Sequence, residues 1–187
     1  MALLAATALV AALYGYVYSV KRQPYLLMWS AGWTMVALHY GAAALNKREA
    51  WGSWEMAVQA WLVASAALLF FLSAQLYTQK RPWTYAACAV SALFAAWAVA
   101  FTQGQIPIAP LYGTSVVFLA TGVLYWQSSR KQETLADGAL GLAFGLWGFV
   151  SLANEFAKQF SLTGQASLSI MTMVPVMFIA EIGRAHV

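Results

Sequence analysis

Hydrophobic residues fall into seven runs, at 2–20, 25–45, 56–77, 83–102, 110–126, 138–156 and 166–180, with short polar stretches between them. None alternates with a period of two, and each comes near the roughly 20 residues a helix needs to cross a bilayer. In hydrocarbon, backbone hydrogen bonds must close within the segment, so the runs are predicted to be helices. The expected fold class is all-α: a polytopic seven-transmembrane-helix bundle. Small residues such as those of Gly141-Leu-Ala-Phe-Gly145, with Gly148 nearby, are the expected points of close helix contact.

The polar stretches orient this bundle. The first run has no basic residue before it and Lys21-Arg22 after it, the reverse of a cleaved signal peptide. With the N-terminus outside, the inner corners hold Lys21, Arg22, Lys80, Arg81, Arg130 and Lys131. The outer ones hold Lys47, Arg48 and Lys158, offset by Glu49, Glu55 and Glu155. Basic residues thus favour the inside, as topology rules require, and the C-terminus is expected in the cytoplasm. Aromatic rings fit both headgroup levels: Tyr18, Tyr25, Trp29, Tyr77, Trp83, Tyr85, Tyr125 and Trp126 inside, and Tyr40, Trp51, Trp54 and Tyr112 outside. Loops are expected at 46–55, 78–82 and 103–109, with Arg130, Lys131 and 133–137 in the loop after the fifth run.

Composition agrees with a lipid solvent. Hydrophobic residues make up 62% of the chain and charged residues 9%, against about 25% charged in a soluble domain. Too little polar surface is present to cover a soluble core of this size. The formal charge of +4 comes from scattered basic pairs, which excludes a nucleic-acid footprint. A lone Cys88 inside an apolar run rules out an internal disulfide framework and reads as a packing residue.

The heptapeptide at 181–187 resembles the in-frame translation of a common sequencing adapter. It is set aside from the fold argument, and Arg184 and His186 with it. The natural protein is then expected to continue past Ala180, with an output domain missing from these residues.

His39 is the only histidine outside that tail. Ionisable groups at membrane depth are functional candidates; the simpler reading is a neutral imidazole with one interhelical hydrogen bond. Trp29 and Trp33 share a helix face and either line an aromatic pocket or anchor and pack. Asn154 and Glu155 end the sixth run at the outer face, where Glu155 either lines a mouth or pairs with Lys158 in solvent. The candidate ligand-binding set is therefore His39, Trp33, Asn154 and Glu155. Met171, Met173 and Met177 with Pro175 predict a soft, bent last helix. No lysine in the seventh run offers a retinal anchor. No carboxylate pair, metal-ligand pattern or phosphate loop is visible. Neither a catalytic residue nor a cofactor is expected, and these residues are not expected to form an enzyme.

Arg22-Gln-Pro-Tyr25, followed by Trp29-Ser-Ala-Gly32-Trp33, resembles bacterial membrane sensor regions in which an Arg-Pro-Tyr turn precedes a helix carrying Trp-x-x-Gly-Trp. Leu146-Trp147-Gly148 and the Met-rich last helix are similar to that group as well. The family's histidine pair after Trp-Gly is replaced here by Phe149-Val150-Ser151. Such regions precede a cytoplasmic diguanylate cyclase (GGDEF) or histidine kinase module.

The resemblance implies a sensory input domain in the bacterial inner membrane. It would relay an unidentified small-molecule or membrane signal through the last helix, as a homodimer formed through the missing cytoplasmic part. A small-solute transporter is the alternative, and a passive anchor for a partner protein a weaker third.

Overall fold

The computed structural model describes residues 2–45, 53–78, 84–105 and 110–159. Among them are six helices: α1 (Ala2–Lys21), α2 (Pro24–Leu45), α3 (Ser53–Thr78), α4 (Thr84–Thr102), α5 (Pro110–Gln132) and α6 (Leu135–Gln159). The described residues contain no strand. The seventh run lies outside them, as do Lys80, Arg81, Lys47 and Arg48.

Four of the helices hold segments long and apolar enough to cross a membrane: Ala2–Lys21, Trp54–Thr78, Tyr85–Thr102 and Leu135–Ala153. Neither α2 nor α5 reaches that apolarity over a full span. In α2 the shortfall comes from Trp29, Trp33, Thr34, His39 and Tyr40, and in α5 from the polar end at 127–132. Length and composition therefore support membrane association, with fewer self-evident spans than the seven hydrophobic runs.

The chain divides into two compact units, Met1–Pro110 and Leu111–Val187. In the first, α2 packs on α1 and α3, and α3 packs on α4. The turn between α1 and α2 is short because its residues suit it. Arg22 takes a left-handed conformation, φ 53°, and its N–H donates to the Tyr18 carbonyl at 2.8 Å. Pro24 then opens α2, where its missing N–H costs nothing. Hydroxyls fasten the helices to one another. Ser30 Oγ donates to the Ala11 carbonyl of α1 at 2.9 Å, and Ser73 Oγ of α3 donates to the Tyr25 carbonyl at 3.0 Å. Such bonds are worth about 0.6–2 kcal/mol between membrane helices.

The core of this unit is aromatic. Trp29 stacks on Tyr14 at 5.2 Å, and Phe70 lies 5.2 Å from Trp29 and 5.4 Å from Trp33. Gly32 makes room for Phe70: a Cβ there would stand 2.7 Å from the ring. Trp29 is fully buried, because α1 and α3 cover its face of α2.

The second unit is built on an α5–α6 hairpin. A Cβ on Gly122 would lie 2.8 Å from Gly141 O and from Gly145 N, and one on Gly148 would lie 2.8 Å from Ser115 O. Tyr125 and Trp147 stack on Phe144 and Phe118. Tyr125 is fully buried in this stack.

The connection is shorter than the loop expected over 130–137. Arg130 and Lys131 complete α5, and Asp137 lies in the first turn of α6. Only Glu133 and Thr134 separate the helices, with Glu133 left-handed at φ 55°. Asp137 stabilises the early start of α6, since a carboxylate suits a helix N-terminus.

Candidate functional site

The residues singled out from sequence are spread over both units. Trp33 and His39 both belong to α2. Six residues separate them, so they point to different sides of the helix and sit about 9 Å apart along it. Trp33 is enclosed by Trp29 and Phe70 in the aromatic core. Asn154 and Glu155 belong to α6 in the other unit, and their side chains lie outside the described residues, as does that of Lys158.

His39 and Gln59 bring polar groups of α2 and α3 together. Its ring is hydrogen-bonded to the backbone of Gln59 and sits edge-on to Tyr40 at 5.3 Å. His39 Nδ1 and Gln59 Nε2 are both buried and find no hydrogen-bond partner among the described residues. The first can accept or donate according to tautomer, and the second donates. A buried polar atom left unsatisfied costs about 1–3 kcal/mol, so these two atoms retain unused hydrogen-bonding capacity. Gln59 was not anticipated. Its signal was present all the same: it is an amide inside an otherwise apolar span, six residues into α3, as His39 is six residues from the end of α2.

The second unit holds a buried polar pair. Asp137 is fully buried, and Ser128 Oγ donates to its Oδ2 at 2.7 Å. Ser129 Oγ donates to the Thr134 carbonyl at 2.9 Å across the same corner. The arrangement locks the hairpin. Beyond it, Arg130 stands 5.8 Å over the Trp126 ring, and both Arg130 and Lys131 are exposed. Lys21 and Arg22 are exposed likewise at the first corner.

Among the described residues no group of three or more His, Cys, Asp or Glu side chains could hold a metal ion. Comparison with protein-family models, curated proteins and solved structures finds no match.

Proposed function

We propose that this chain is the membrane-embedded input domain of a bacterial signalling protein, with seven spans, its N-terminus outside and its C-terminus in the cytoplasm. The single observation that carries the reading is the α1–α2 corner. The stretch Arg22-Gln-Pro-Tyr25 makes a tight dibasic turn, and the Trp29-x-x-Gly32-Trp33 segment that follows supplies the aromatic core. Those are the residues through which the chain resembles sensor regions ahead of diguanylate cyclase or histidine kinase modules.

In this reading a ligand, or the state of the bilayer, biases two packings of the bundle by binding them unequally. The His39–Gln59 notch between α2 and α3 is a candidate point of action. The last helix carries the bias to a cytoplasmic module, and the assembly is a homodimer.

The test is a chimera. Residues 1–180 are fused to a diguanylate cyclase module, and cyclic di-GMP is measured in cells as bilayer composition is varied. Output that shifts with composition, and shifts less in the His39→Phe variant, is expected. Output identical to that of a fusion to an unrelated membrane anchor would remove the sensory reading.

A further inference from the structure

We propose that the cleft between α3 and α4 binds one acyl chain of a membrane phospholipid. The proposal rests on the membrane reading above and gives the bilayer-derived signal a physical site.

The cleft has a volume of about 300 Å³. Trp54 and Trp61 of α3 form one wall, Ala95 and Val99 of α4 the other, and Thr102 and Gln103 close one end. The two indoles are seven residues apart, which is about 10 Å along a helix. The cleft is therefore elongated along the helices, as an acyl chain would be.

Several of its polar groups are already engaged. Trp61 Nε1 donates to Ser91 Oγ at 3.3 Å. Thr102 Oγ1 donates to the Val99 carbonyl at 2.9 Å, and Gln105 Nε2 donates to Gln103 Oε1 at 3.1 Å. Among the described residues, no ionised side chain lines the cavity. What remains for an occupant is apolar contact along the walls and a polar rim at one end only. That gradient, hydrocarbon between the indoles and amides at the helix end, matches a phospholipid with its headgroup beside Gln103 and Gln105.

The surroundings select the same source. Trp54 is 68% exposed, Leu93 68% and Val99 46%. The cleft thus opens onto an apolar outer surface of α3 and α4, both apolar enough to span a bilayer. An apolar cleft on such a surface fills with lipid tails, because leaving it empty forfeits dispersion contacts on one side.

Tryptophan quenching by bromine-labelled lipid tests this. The chain is reconstituted in phosphatidylcholine vesicles with plain or chain-brominated lipid, and the Trp61 signal is taken as the difference from Trp61→Phe. Trp61 is half-buried and lines the cleft, so a chain seated there brings bromine against its indole. Strong quenching by brominated chains is expected, with little by acrylamide in water. Filling the cleft by Ala95→Phe, or by Val99→Phe from the same wall, should remove most of that quenching in whichever variant retains wild-type helix content. Quenching of Trp61 by acrylamide, or none by bromine while exposed Trp54 and Trp126 respond, would overturn the proposal and leave the membrane reading intact. Insensitivity of all nine tryptophans to brominated lipid would overturn both.

Discussion

Gly122 and Gly141 bring the backbones of α5 and α6 into direct contact. A Cβ on Gly122 would stand 2.8 Å from Gly141 O, and one on Gly141 would stand 2.9 Å from Gly122 O. Backbone cannot swing aside as a side chain can, so these two glycines fix both the separation and the register of the hairpin. Gly145 differs: nothing lies within 4 Å of its Cβ position. Gly122→Ala and Gly141→Ala should each destabilise by about 1–3 kcal/mol through overpacking. Gly145→Ala should be neutral or gain up to about 1 kcal/mol from helix propensity. Thermal unfolding of the three variants in detergent measures the contrast, and equal losses at all three positions would refute the register.

In the first unit, Gly32 and Phe70 should be energetically coupled. The Phe70 ring is fully buried, so it cannot yield to a methyl group 2.7 Å from its Cε1. Gly32→Ala should lower stability by about 1–3 kcal/mol. In a Phe70→Leu background the same change should cost less, giving a coupling of about 1 kcal/mol in a double-mutant cycle. Additive losses would mean that the two residues do not meet.

Ser128 should matter more than an ordinary serine near a helix end. Its hydroxyl donates to a buried carboxylate, and hydrogen bonds to charged groups contribute about 1.5–3 kcal/mol. Ser128→Ala should lower the unfolding midpoint clearly, whereas Ser129→Ala, which loses a bond to a neutral carbonyl, should lower it less. Comparing the two midpoints decides the point, and the reverse order would contradict it.

The sequence shows where helices lie far better than which way they face. The Lys21-Arg22 and Pro24 corner and the proline at 110 mark helix ends legibly, because charge and proline act locally. Facing is harder, because lipid lets the outer side of a helix be as apolar as its inner side, and the usual stripe disappears. That Trp29 and Tyr125 are core residues is therefore not marked by any stripe in the sequence. The Gly141–Gly145 spacing signals close packing, and the backbones of both residues lie against Gly122 with Gly148 against Ser115; the partner glycine on α5 is set by the register and not by the spacing. Asp137 reads as loop in sequence because a charge between two apolar runs suggests water. Only its bond to Ser128 shows that the helix starts before it. Gln59 was overlooked beside His39 because no sequence rule pairs residues on different helices.

Impermeant cysteine labelling in intact bacterial cells tests the central claim most directly. With Cys88 replaced by serine, single cysteines are placed at the exposed positions Ala2, Lys21, Gln105 and Gln132 and treated with a membrane-impermeant maleimide. Ala2→Cys and Gln105→Cys should be labelled in whole cells, and Lys21→Cys and Gln132→Cys only after lysis, with all four in the membrane fraction. Labelling of Lys21→Cys or Gln132→Cys from outside, or recovery of the chain in the soluble fraction, would contradict it.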